Sequence, residues 1–169
     1  MLTIPSDILQ DMIVHARELA PHECCGMLSG TSGVVAESYR ITNILANMSE
    51  QELSRFDGAK LSDLQRLSPE ERADIAFQMD AREMAIAQRD IRTKGHDLLG
   101  FYHSHTFSPA RPSQTDITIA MEFESYRTKL NLPEPLHLIV SLEQANNPTI
   151  RAFRIQDSHA TEVSIHTSA

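Results

Sequence analysis

One stretch constrains this chain more than any other: Phe-Tyr-His-Ser-His-Thr-Phe-Ser-Pro-Ala-Arg-Pro-Ser-Gln-Thr-Asp, residues 101–116. His103 and His105 stand two apart at the end of an apolar run that begins at Leu98. If the run is a strand, alternation of side chains puts both imidazoles on one face. A proline-bearing loop then returns the chain at Ser113 and Asp116. Two imidazoles and a carboxylate form a three-donor set for a divalent metal. Three protein donors with a fourth position left to water is the arrangement of a catalytic zinc, whereas structural zinc sites are usually closed by four.

Each piece also has a plainer reading. A His-x-His strand is often a pair of solvent-facing imidazoles, and Ser113-x-x-Asp116 is an ordinary capping box at a helix start. The two readings of the second motif are compatible: the serine can cap the helix while the first-turn aspartate faces a metal.

The rest of the chain sets the frame. Its 169 residues suit one domain with a sizeable core. With no tryptophan and 5% aromatic residues, that core must rest on Leu, Ile, Val, Met and Ala. A net charge of −8 argues against a nucleic-acid partner, because phosphate contacts rely on clustered Lys and Arg. No apolar run approaches the roughly 20 residues that cross a bilayer, and the N-terminal residues lack a signal-peptide pattern. The only cysteines, Cys24 and Cys25, are adjacent and poorly placed to bridge each other. A cytoplasmic setting is therefore expected. A cysteine nucleophile beside His22 competes with buried, inert thiols; the apolar neighbours Met27 and Leu28 favour the latter.

Taken in order, apolar residues from Ile8 to Leu19 recur at helical spacing, with Ser6 as N-cap and an end before Pro21. Residues 24–29 read as a buried strand, and residues 34–42 as its hairpin partner. Glu23 lies at the mouth of the first strand, where the segment alone suggests an exposed strand-end carboxylate. Residues 43–71 form a long, polar insertion with scattered Leu53, Phe56, Leu61 and Leu64, either a short helix or an ordered loop; connections of this length tend to be lids or mobile segments. Ser68-Pro69 starts a helix, residues 76–79 suggest a brief strand, and Asp80 caps a helix that Gly95 ends. Ser113 caps the next helix, and residues 136–142 and 150–155 read as a strand pair. The polar residues from 158 fit a frayed tail as well as an edge strand. The tail reading leaves one domain at residues 1–157 and a frayed tail at 158–169.

His103-Ser104-His105, seven residues, Ser113, two residues and Asp116 resembles the signature of the JAMM (MPN-plus) metalloproteases, bacterial and archaeal members above all. The family also needs an upstream glutamate, and Pro21-x-Glu23-x-Cys25-Gly26-x-Leu28-x-Gly30 resembles the segment that carries it. The resemblance implies an α/β fold of the JAMM/MPN, cytidine-deaminase-like kind, a mixed curved β-sheet packed between helices. It implies one Zn²⁺ held by His103, His105 and Asp116 with water in the fourth position, the water's pKa brought from about 15.7 to about 7. Glu23 would then be the general acid–base, against the bland reading above, and Ser113 would stabilise the developing oxyanion. Thr106 stands where the family most often has proline, which loosens the loop and removes no donor.

The resemblance further implies hydrolysis of the isopeptide or peptide bond after the C-terminal glycine of a ubiquitin-like or sulfur-carrier protein. Dimerisation is common in the family, so a homodimer is an expected state, although no surface declares it. The non-enzyme alternative is an MPN-type scaffold or partner-binding domain with a vestigial metal site. A zinc deaminase would need His-x-Glu and Pro-Cys-x-x-Cys, and the sequence has neither.

Overall fold

The computed structural model describes residues 1–54 and 58–169. The elements run β1 (Leu2–Pro5), α1 (Ser6–Leu19), β2 (Cys25–Thr31), β3 (Val34–Ile41), a 3₁₀ turn (Leu45–Asn47), α2 (Glu50–Leu53), α3 (Gly58–Gln65), α4 (Pro69–Ile75) and α5 (Ala81–Thr93). They continue with β4 (Asp97–His105), α6 (Gln114–Leu130), β5 (Leu136–Ser141), β6 (Thr149–Gln156), β7 (His159–Val163) and β8 (Ile165–Ser168).

All eight strands belong to one mixed sheet in the order β7-β6-β5-β4-β2-β3-β1-β8. The hairpin β2–β3 and the pair β2–β4 are antiparallel, β4–β5 is parallel, and β1 runs parallel to both β3 and β8. The outermost strands, β7 and β8, are joined by Ser164 alone. Two residues of extended chain span at most about 7 Å, so the sheet must roll until its edges nearly meet. The expected mixed, curved sheet is therefore present. The C-terminal residues, however, are no frayed tail. β7 pairs with β6 along its length, and β8 pairs with β1 from Leu2↔Ile165 to Pro5↔Ser168. Their pattern is weak because they are edge strands with mostly exposed side chains, and their partners lie far away in sequence.

Strand alternation divides the core. On one face α1 packs Met12 and Ala16 against Leu28, Val35, Tyr102, Leu138 and Val140. On the other face α5 and α6 cover Cys25, Met27 and Phe101 with Ala87, Ile91 and Phe123. Gly26 matters here: a Cβ on it would lie 2.2 Å from the Tyr102 ring. The bare backbone lets that ring lie flat across β2 and send its hydroxyl to His15, whose Nδ1 is 2.8 Å away in the buried core. Burial holds the His15 imidazole below its usual pKa, against the charges of Asp11 and Glu18.

Two smaller differences from the sequence expectation have local causes. Pro5, not Ser6, precedes the first turn of α1, and no side chain caps it. Residues 76–79 make no strand; only the isolated bridge Asn43↔Met79 forms. The insertion folds as short helices, each of α2 and α4 started by a complete capping box at Ser49 and Ser68. Leu45, Leu53, Leu64, Ala73 and Ala76 give it a small core of its own. Phe56 lies outside the described residues. No helix among the described residues is long and apolar enough to cross a membrane.

Tyr102→Phe keeps the ring and strips His15 of its partner. An unsatisfied buried donor or acceptor costs about 1–3 kcal/mol, so urea unfolding should show a loss of that size. An unchanged midpoint would mean the buried hydrogen bond contributes nothing.

Candidate metal centre

Register assembles the site. Cys25 pairs with His103 across β2 and β4. Beyond that pair the Ser104 N–H donates to the Cys24 carbonyl at 3.0 Å, and the Ser104 hydroxyl accepts from the Cys24 N–H at 2.7 Å. Glu23, one residue further, is thereby set against the end of β4. His103, Phe101 and Cys25 share the α6 side of the sheet, while Ser104 and Tyr102 point to the other.

The donors converge. The Nε2 atoms of His103 and His105 are 3.1 Å apart. Asp116 places Oδ1 3.2 Å from His103 Nε2 and Oδ2 3.1 Å from His105 Nε2. Glu23 Oε1 lies 3.9 Å from His105 Nε2, and Glu23, His103 and His105 form a cluster whose donor atoms all fall within 4.8 Å. All four residues are buried, from 3% exposed for Glu23 to 7% for Asp116. The exposed strand-end carboxylate suggested by the local sequence is therefore corrected: the approach of α4 and β4 encloses it.

Asp116 is aimed by the helix it starts. The capping box of α6 is complete: the Asp116 N–H donates to Ser113 Oγ at 3.1 Å, and Asp116 Oδ2 accepts from the Ser113 N–H at 2.7 Å. The same oxygen faces His105, so capping and donor roles coexist. His105 Nδ1 is 2.9 Å from the Pro109 carbonyl. A carbonyl can only accept, so Nδ1 carries the proton and Nε2 presents its lone pair inward. Phe77 stacks on His103 at 4.6 Å between centroids. Thr106, in the position expected to loosen the loop, donates its hydroxyl to the Pro21 carbonyl at 2.8 Å and ties the loop to the mouth of β2.

The electrostatics are those of a site built for positive charge. Burial, then the Asp116 and Asp74 charges, push the Glu23 carboxyl well above its usual range, and its Oε2 has no hydrogen-bond partner. Burial works to raise Asp116 as well, but His103 and His105 outweigh it and hold that carboxyl far below normal. Burial works to lower His105, yet the Asp116 hydrogen bond and charge leave it raised. Donor atoms converging in a buried pocket, beside an unsatisfied carboxylate oxygen, fit a divalent cation: two imidazoles and a carboxylate are a donor set zinc accepts. His103, His105 and Asp116 could hold such an ion, with Glu23 beside them. Ser113 is at the surface of the same corner.

Sequence reading missed the partners that orient these residues, among them Phe77 and the Pro109 carbonyl; contacts of this kind leave no period or motif. The cysteines are inert by geometry. Both are fully buried, and burial pushes the Cys24 thiol up to about 12 and Cys25 well above its usual value. An apolar groove opens between α5 and α6, a cavity of about 90 Å³ with Met84, Phe101, Ile119 and Phe123 in its walls. It shares Phe77, Phe101, Ile119 and His137 with a smaller recess that His103 and Asp116 line.

Comparison with known proteins agrees with this geometry. The family of prokaryotic homologues of the JAB domain matches residues 5–156. The CysO-cysteine peptidase of Mycobacterium tuberculosis is 25% identical over 162 residues, covering 96% of this chain and 88% of the relative. The desampylase of Haloferax volcanii is 30% identical over 121 residues, covering 68% of this chain and 69% of its own. A solution structure from Desulfitobacterium hafniense superposes with a TM-score of 0.70 at 28% identity, covering 99% of this chain and 93% of that one. The chain belongs to the prokaryotic JAB-domain family, the bacterial and archaeal JAMM group. It is a metallopeptidase of the JAMM type.

Metal analysis of purified variants tests the donor set. His105→Ala should retain less than about a tenth of the wild-type zinc, since it removes one of three donors. Full retention would take His105 off the list. Because protons compete for the imidazole lone pairs, zinc loaded at pH 8 should be released as the pH falls towards 5, and binding that is indifferent to pH over this range would argue against imidazole donors.

Proposed function

We propose that this protein is a zinc-dependent isopeptidase or peptidase that hydrolyses the bond after the C-terminal glycine of a ubiquitin-like or sulfur-carrier protein. One observation carries the chemistry: Glu23, a buried carboxylate with one oxygen left unpartnered, lies beside two imidazoles and an aspartate whose donor atoms converge. Two relatives support the substrate class, one named as a peptidase of CysO-cysteine and the other as a desampylase.

In this reading His103 Nε2, His105 Nε2 and Asp116 hold one zinc ion. Bound there, zinc supplies a Lewis acid that makes a water acidic enough to attack near neutral pH. The chain's own residues do the rest. Glu23 takes the proton from the attacking water and returns it to the leaving amine; because water is itself the nucleophile, no covalent acyl-enzyme forms. Its raised proton affinity suits that exchange, and a neighbouring cation offsets the cost of its ionisation. Ser113 already accepts the Asp116 N–H through Oγ, which leaves its own hydroxyl proton free to donate to the substrate's carbonyl oxygen as negative charge grows there. The Pro109 carbonyl fixes the His105 tautomer. The groove between α5 and α6, whose walls continue into the recess lined by His103 and Asp116, offers room for one aliphatic side chain of an extended peptide.

A panel of Gly-Gly-ended carrier proteins, each extended at the C-terminus by an amino acid or an isopeptide-linked lysine, tests the proposal by mass spectrometry. Wild-type protein with zinc should release the extension from at least one carrier. Glu23→Gln should keep its zinc and lose at least about a hundredfold in turnover, within the 10²–10⁴-fold typical of general acid–base groups. A zinc-loaded wild type that binds a carrier and cleaves none would favour the scaffold alternative. Undiminished turnover in Glu23→Gln would remove Glu23 from its role.

A further inference from the structure

The main-chain groups of Glu23 itself are bonded by the insertion, while β4 and the loop after it hold the neighbouring Cys24 and Pro21. Glu23 lies outside β2, which begins at Cys25. Its N–H donates to the Ala73 carbonyl of α4 at 2.7 Å. Its carbonyl accepts from Asn43 Nδ2 at 3.0 Å. Beside it His22 Nδ1 lies 2.7 Å from Asp74 Oδ1, again on α4.

Asn43 is the hub of this arrangement. Besides Glu23 its Nδ2 reaches the Ala76 carbonyl at 3.1 Å, while its Oδ1 accepts the N–H groups of Leu45 at 3.2 Å and Gln78 at 3.1 Å. Two donors and two acceptor positions are the whole capacity of an asparagine side chain, and all four are engaged. One amide therefore clasps both ends of the insertion, at residues 45 and 76–78, and joins them to the carboxylate-bearing residue of the site. A side chain also ties the helices of the insertion to one another. Arg72 is 3% exposed, and its guanidinium links the Leu64 carbonyl of α3 to Glu50 of α2.

We infer that Asn43 is a positioning residue for Glu23, and that the folded insertion completes the catalytic centre by fixing that carboxylate. The inference rests on Glu23 as the proton-transferring group. It gives the long connection a second task besides any contact with substrate: the ordering of its described residues, 44–54 and 58–76, and the position of Glu23 become one property. An asparagine is required because the site needs donors towards Glu23 and Ala76 and acceptors towards Leu45 and Gln78 from a single planar group.

Asn43→Asp is the sharpest test, since it keeps the shape and both accepting contacts while replacing the two donating ones with a repelling oxygen. Zinc-loaded protein should lose about a hundredfold in kcat, the scale of an ångström's misplacement of a reacting group, with KM and zinc content within twofold of wild type. Added to Glu23→Gln, the same substitution should change the residual rate by less than about twofold, because two residues acting as one unit are not additive. An equal loss in both backgrounds would overturn the inference and assign Asn43 a general structural role. Hydrogen exchange supplies a readout without substrate: peptides covering residues 21–25 and 44–76 should lose protection together, while β4 keeps its own. If no carrier is cleaved by wild type, the proposed substrate fails but the exchange result still decides the coupling. Should Asn43→Asp fail to fold, Asn43→Ala, which removes the clasp without adding a charge, should also accelerate exchange over residues 21–25. Unchanged exchange there would overturn the inference.

Discussion

The pairing of β2 with β4 at Cys25↔His103 is the constraint on which the site depends. Strands present alternate residues to opposite faces, so a slip of one position would turn the two histidines away from Glu23. Ser104, between the histidines, guards the register with a side chain as well as a main chain, since its hydroxyl accepts the Cys24 N–H in a fully buried position. Gly26 and Tyr102 secure the next rung, where the ring occupies the space a Cβ would need. The middle residue of the His-x-His motif is thus part of the scaffold, while its neighbours turn their imidazoles into the donor cluster.

Two helices finish what the register begins. α6 brings Asp116 by an ordinary capping box, so the geometry that stabilises a helix start also aims a carboxylate at two imidazoles. α4, from the insertion, closes over Glu23 and removes it from water. Burial of a carboxylate without a hydrogen-bond partner is costly. That cost becomes useful when a cation sits nearby and the carboxyl must exchange a proton rather than merely stay ionised.

What could be read from the sequence follows from how local each determinant is. The strand with His103 and His105, and the cap at Ser113 and Asp116, announce themselves because period and spacing are short-range. The inert cysteines were legible from their apolar neighbours. Glu23 was legible only through the family resemblance: seen in its own segment it is a charged residue at a strand end, and α4 and β4, some fifty and eighty residues away, enclose it. Asn43 carries no pattern at all, because its four partners come from three separate places in the chain. The C-terminal strands were hidden for the same reason, as β8 finds its partner in the first residues of the protein.

The central claim is that His103, His105 and Asp116 hold one metal ion while Glu23 stays free beside it. A crystal structure of the zinc-loaded protein, with anomalous scattering recorded at the zinc edge, tests this directly. The account predicts one peak at about 2.0–2.2 Å from His103 Nε2, His105 Nε2 and an Asp116 oxygen, with the Glu23 carboxylate outside bonding distance. A peak ligated by Glu23 in place of Asp116, or no peak among these residues, would contradict it.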